Sequence, residues 1–190
     1  MIIDPGDEPD RVTSALSAAD LRCAAILVTH AHFDHVGAVG PLARTHAVPV
    51  YISELEKCTL QTINEHLWPG FGPFEPYTAE HTLRGGDVLE LAGLVIRVYD
   101  TPGHAPGHLS FQIESRDGDT ALFVGDVLFR GSVGRTDFEG GSWETLEQSI
   151  LHLYDNAPLD APVYSGHTPP TTLASERDSN PFLDAVRARR

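Results

Sequence analysis

The sequence predicts a mixed α and β fold. Apolar runs of strand length alternate with helix-period stretches in the first half, and polar-turn hairpins dominate the second. With 190 residues and 41% hydrophobic content, the chain suits one globular domain spanning residues 1–190.

Taken in order, Val12, Ala15, Leu16 and Ala19 follow i, i+3, i+4, i+7 spacing and predict an amphipathic helix over 10–21. Cys23–Val28 is an unbroken apolar run, too short for a helix and suited to a buried strand in which Cys23 is core. A helix over about 35–46 and a strand over Val48–Ile52 follow. Ser53 with Glu56 three residues later predicts a capping box opening a helix that runs to about His66. The stretch Trp68–Tyr77, rich in proline, glycine and aromatics, predicts a loop whose rings need a core or a ligand to cover them. Val88–Leu91 and Leu94–Tyr99 flank the two-residue turn Ala92-Gly93, and His108–Glu114 and Thr120–Gly125 flank a polar turn at 116–119. After a Gly-rich segment over 131–141, Ser142 predicts an N-cap. The helix beyond it should bury Trp143, Leu146, Ile150 and Leu153. A strand at Pro162–Tyr164 and a helical C-terminal region carrying Arg187, Arg189 and Arg190 complete the pattern.

Charge narrows the function. Acids number 27 against 13 Lys+Arg, for a formal charge of −14, and the only lysine is Lys57. That argues against a nucleic-acid partner, because phosphate binding needs a basic surface. No stretch has the apolar length of a membrane span, and the opening residues show no export signal, so the cytoplasm is the expected compartment. Two cysteines, Cys23 and Cys58, make no disulfide framework.

The chemistry concentrates in the ten histidines. Thr29-His30-Ala31-His32-Phe33-Asp34-His35 places four potential metal ligands directly after an apolar strand. A turn there aims alternate side chains such as His30 and His32 at one point, and Asp34 and His35 at another. His104, Asp126 and His167 each follow a further predicted strand, the end at which open α/β sheets carry their sites. Five imidazoles and two carboxylates suit two divalent ions sharing a bridging carboxylate. His46, His66, His81 and His152 read as ordinary surface or core residues; His108 is the exception, four residues past His104 near the same loop, and is a candidate to brace the site or meet substrate.

HAHFDH, followed in order by TPGHAPGH, GDVLF and SGH, resembles the metallo-β-lactamase superfamily. GSVGRTDFEGGSWETLEQSI and GHTPPTTLASERDSNPFL resemble its single-domain, glyoxalase-II-like thioester hydrolases. The resemblance runs from Asp4 to Phe182. It implies an α+β architecture, an αββα sandwich of two mixed β-sheets flanked by helices. It further implies that His30, His32 and His104 hold one metal, that Asp34, His35 and His167 hold a second, and that Asp126 bridges them. Asp4 matches a residue that braces the ligand loop. The family pattern places further strands ahead of Asp4-Pro5-Gly6, so a start placed too late is expected in preference to a sheet lacking its edge. The C-terminal helical domain of two-domain glyoxalase II has no counterpart here, which leaves the thiol carrier open.

The implied cofactors are two divalent ions, zinc first, with iron or manganese compatible. The implied reaction is attack of a metal-bridging hydroxide on the carbonyl of a small S-acyl thioester, with Asp34 and Asp126 orienting the metal-bound water. A thiolate leaves readily, so no separate general acid is needed. Phe33 and the aromatics of the 68–77 loop are candidates for the cleft mouth. Arg135 is expected to pair with Asp137, with a substrate carboxylate as its other option. Two alternatives share the fold: a mono-iron persulfide dioxygenase using the positions of His30, His104 and Asp126, and a non-catalytic metal-binding protein. Nuclease relatives are disfavoured by the acidic charge, and a β-lactam hydrolase by the opening residues.

Overall fold

A computed structural model of the chain describes residues 1–188; Arg189 and Arg190, expected in a C-terminal helical region, lie outside them. The backbone clusters into two compact units, Met1–Leu83 and the remainder from Arg84.

The first unit contains β1 (Ile2–Ile3), α1 (Pro9–Ala18), β2 (Ile26–Leu27), α2 (Phe33–Val36), α3 (Val39–His46), β3 (Val50–Ser53), α4 (Lys57–Gln61), a 3-10 turn at Ile63–Glu65 and β4 (His81–Leu83). Its sheet is parallel throughout, in the order β1-β2-β3-β4. The ladder of β2 is shorter than the apolar run: Ile26 and Leu27 pair with Ile2 and Ile3 on one side and Val50 and Tyr51 on the other. Ala25–Val28 are nonetheless wholly buried, while Cys23 is only partly so, at the rim of a core built from Val36, Val39, Leu42, Ile52 and Leu60.

Two expected helices are interrupted. The helix over 35–46 breaks at Gly37-Ala38 because the N-terminal segment intercepts it: the Ala38 N–H donates to the Pro5 carbonyl at 3.0 Å. A side chain on Gly37 would lie 2.3 Å from the Gly6 carbonyl oxygen and 2.7 Å from Phe74. The helix after Ser53 begins only at Lys57 and gives way at Thr62, and Ser53 and Glu56 form no capping box. Ser53 Oγ accepts from the Leu55 N–H, and the buried Glu56 carboxylate turns to the ligand loop.

The second unit contains β5 (Val88–Leu91), β6 (Leu94–Asp100), β7 (Leu109–Glu114), β8 (Thr120–Phe123), β9 (Leu128–Phe129), β10 (Ser132–Val133), α5 (Trp143–Asn156), β11 (Pro162–Tyr164), β12 (Thr171–Thr172), α6 (Leu173–Ser179) and α7 (Asp184–Arg187). Its six-stranded sheet runs β12-β11-β8-β7-β6-β5 and is mixed, antiparallel except where β11 joins β8. Ala92 and Gly93 turn β5 into β6 with φ of 53° and 79°, the pair of positive values that a tight hairpin matching strand twist requires. Ser142 caps α5 by accepting from the Thr145 N–H. Leu146, Ile150 and Leu153 are buried as expected, but Trp143 is 41% exposed. It stands at the first position of the helix, ahead of the stripe, and Ser149 is buried in its stead with Oγ donating to the Pro102 carbonyl. Among the described residues, no helix is long and apolar enough to cross a membrane.

Candidate metal centre

The ligand loop of the first unit is held by Asp4, which adopts a φ of 47°. One oxygen of its carboxylate accepts from the Thr29 N–H at 2.7 Å; the other accepts from the Thr29 hydroxyl at 2.6 Å and from His35 Nδ1 at 3.0 Å. A hydroxyl has one proton, and that of Thr29 goes to Asp4. Its oxygen therefore accepts from His30 Nδ1, 3.0 Å away. His30 and His35 thus both carry their proton on Nδ1 and present the Nε2 lone pair. His32 Nδ1 lies 3.0 Å from His30 Nε2. Two nitrogens on one tetrahedral zinc ion would be about 3.3 Å apart, given Zn–N bonds near 2.0–2.1 Å, so the pair is spaced to share an ion. The His30 and His35 rings are 4.2 Å apart, and His35 Nε2 is 3.9 Å from Asp34 Oδ2.

Two supports of this loop escape a local reading of the sequence. Glu56 accepts from the Ala31 N–H, midway between His30 and His32, at 3.1 Å. Gly6 packs so closely that a side chain there would sit 1.9 Å from the Asp34 carbonyl oxygen. The Asp-Pro-Gly segment was the visible hint of the second; Glu56 was hidden by its suggestive spacing from Ser53.

The second unit gathers His104, Asp126 and His167. Asp126 Oδ2 lies 3.5 Å from His104 Nε2 and 3.2 Å from His167 Nε2, so one carboxylate oxygen sits between two imidazoles. His104 Nδ1 donates to the Arg135 carbonyl at 2.8 Å, which directs the Nε2 lone pair toward Asp126. Gly134 is obligatory in this turn: a side chain would lie 1.8 Å from the Asp126 carbonyl oxygen. His108 is buried behind the site. Its Nε2 accepts from the Asp126 N–H at 3.1 Å, so its Nδ1 carries the proton and donates to Thr101 Oγ1 at 3.0 Å. Nε2 thus holds the Asp126 backbone while Nδ1 anchors the ring on Thr101.

The Arg135 guanidinium clasps Asp137 through two bonds of 2.6 and 2.7 Å and lies 4.3 Å over the Phe138 ring. Those bonds hold the Asp137 carboxyl down at about 2. Phe33 packs against Trp68, Phe71 and Phe74. The other histidines have local partners: His46 meets Thr13, His66 meets Thr62, His81 stacks on Tyr51 and His152 meets Asn156.

Imidazole and carboxylate donors with their tautomers set by the protein fit divalent transition metals. Residues 1–167 match the family model of the metallo-beta-lactamase superfamily, and the chain belongs to that superfamily. It is 36% identical over 192 residues to the hydroxyacylglutathione hydrolase GloC of Haemophilus influenzae, covering 97% of this chain and 87% of that protein. Among solved structures it resembles BLEG-1, a B3 metallo-beta-lactamase, with a TM-score of 0.86, 37% identity and coverage of 96% and 87% of the two chains. It also resembles TTHA1623 in a di-iron-bound form, with a TM-score of 0.83, 40% identity and coverage of 95% and 88%. The fold is therefore the metallo-β-lactamase fold, and the class is that of metal-dependent hydrolases, which bind divalent metals and often two.

Proposed function

We propose that the protein hydrolyses small S-acyl thioesters, such as a hydroxyacyl ester of glutathione or a similar thiol, with two divalent ions, zinc by preference. The observation that carries the metal reading is the tautomer control. His30, His35 and His104 each have Nδ1 engaged by the protein, which keeps the proton off Nε2 and makes that nitrogen the one able to ligate. Following the family pattern, His30, His32 and His104 would hold one ion, Asp34, His35 and His167 would hold the other, and Asp126 would serve both. The family match running from residue 1 to 167 supports reading both units as one hydrolase domain. Two such ions supply a water acidic enough to be hydroxide near neutral pH and a positive charge for a carbonyl oxygen.

The chain's own residues do the rest. Asp34, with 42% of its side chain exposed, and Asp126 would be the carboxylates that orient a metal-bound water. Asp4 and Thr29 keep the imidazoles from rotating, and His108 keeps Asp126 from drifting. Neither cysteine competes as a nucleophile: Cys23 Sγ turns to the Ala25 carbonyl at 3.4 Å, and Cys58 lies on α4, outside both ligand clusters. The likeness to GloC supports a thioester as substrate, and a thiolate departs without a general acid. A small-molecule thioester in the cytoplasm, with neither nucleic acid nor membrane involved, is the matching setting.

The test measures metal content of the purified protein together with turnover of a thioester panel, a β-lactam and a persulfide under oxygen monitoring. Two ions per chain and thioester cleavage without oxygen uptake are expected. One iron per chain with oxygen consumed on the persulfide would replace this reading by dioxygenation. A protein that binds metal but turns over none of the panel would replace it by metal binding without catalysis.

A further inference from the structure

Phe33 stands between His32 and Asp34, inside the ligand loop, yet its ring does not enter the core alone. It is the hub of an aromatic group, with ring centroids 4.7 Å from Phe71, 5.7 Å from Trp68 and 6.4 Å from Phe74. Phe74 is partly buried and packs on the core of the first unit. Trp68 and Phe71 differ: they stand 49% and 51% exposed. The loop that carries these rings is pinned. Asn64 clamps Phe74 at both ends of its peptide, donating to its carbonyl and accepting from its N–H, each at 2.8 Å. Leu67 also packs on the core, immediately before Trp68. The fold therefore holds two large rings toward solvent beside metal ligands. Aromatic surface of this kind takes up apolar and aryl groups.

Charge decides which part of a thioester it suits. The segment from Thr62 to Tyr77 contains Glu65 and Glu75 and neither lysine nor arginine. The neighbouring Arg44 is tied to Glu75 and lies 5.7 Å over the Tyr77 ring. A carboxylate-bearing thiol carrier finds no cation in this loop, whereas an uncharged acyl group meets only rings. We infer that Phe33, Trp68 and Phe71 form a platform for the acyl group and give the enzyme a preference for bulky apolar or aryl acyl thioesters over acetyl esters. This rests on the thioester reading above.

The test uses the metal-loaded full-length protein with acetyl, isovaleryl and phenylacetyl esters of N-acetylcysteamine, a neutral carrier that isolates the acyl contribution. Each kcat/KM is normalised to the ester's own hydroxide-catalysed rate. The phenylacetyl ester is expected to exceed the acetyl ester by about tenfold or more, the scale of discrimination that apolar pockets reach. Trp68→Ala and Phe71→Ala should each collapse that ratio toward one, and Trp68→Phe should restore most of it. A ratio near one in the wild type, or one left intact in both alanine variants, overturns the platform. Calorimetric binding of the unreactive thioether S-phenethyl-N-acetylcysteamine, against its S-ethyl analogue, is read in parallel. If no ester is cleaved, the thioester reading falls. The platform then stands or falls on whether the phenethyl compound binds about tenfold tighter and loses that advantage in Trp68→Ala.

Discussion

Replacing Asp4 by asparagine changes one atom's character and should disable two of the proposed metal ligands at once. In the wild type one carboxylate oxygen accepts both the Thr29 hydroxyl proton at 2.6 Å and the His35 Nδ1 proton at 3.0 Å. With an amide nitrogen there, three donors meet and no acceptor remains. His35 relieves the conflict by moving its proton to Nε2, the nitrogen that faces Asp34. The Thr29 hydroxyl relieves it by turning its proton onto His30 Nδ1, which also transfers the imidazole proton to Nε2. Each switch protonates the atom needed for coordination. Loss of a single such support costs about 10- to 100-fold in metal affinity. Two coupled ligands should therefore lose at least about 100-fold, or roughly 2.8 kcal/mol at 1.4 kcal/mol per decade. If Asp4→Asn keeps the 2.7 Å bond from Thr29 N–H through its remaining oxygen, the metal-free fold should survive, as circular dichroism would show. Competition against a chromophoric chelator reads the affinity. A correctly folded Asp4→Asn protein with wild-type metal affinity would refute the tautomer argument.

Four further outcomes follow from the same structure. His104→Ala or Asp126→Ala should abolish thioester turnover and lower metal content, measured by elemental analysis. Gly134→Ala should fail to hold metal and lose several kcal/mol of stability, seen as a large drop in Tm, because the new methyl overlaps the Asp126 carbonyl at 1.8 Å and both atoms belong to backbone. Glu56→Ala leaves the Ala31 N–H buried without its acceptor and should cost about 1–3 kcal/mol in thermal unfolding, while Glu56→Gln keeps an acceptor oxygen and most of the stability. Asp137 should titrate at about 2 by NMR in the wild type and return toward 3.8 in Arg135→Gln. Its folded value is depressed, so the small stabilisation from the Arg135 clasp is complete above about 3.8 and lost as pH falls through about 2.

Much of the centre was legible because its signals are local. An apolar run ending at Val28 delivers His30, His32, Asp34 and His35 within one turn. His104, Asp126 and His167 each stand just past a strand that alternation or apolar content marks out. The Ala92-Gly93 turn and the Ser142 cap were equally legible, since turn and cap chemistry is decided by residues within three positions.

What tertiary structure decided lies at longer range. Asp4 and Thr29, and likewise Ala31 and Glu56, meet across 25 positions, and no periodicity connects them. Packing of the N-terminal segment likewise broke the helix over 35–46, through the bond from Ala38 to Pro5. Residue types and their spacing along the chain determined that this protein carries clusters of potential metal ligands at strand ends. Only the folded chain determined which nitrogen each histidine offers, because a tautomer is chosen by whichever donor or acceptor reaches the opposite side of the ring.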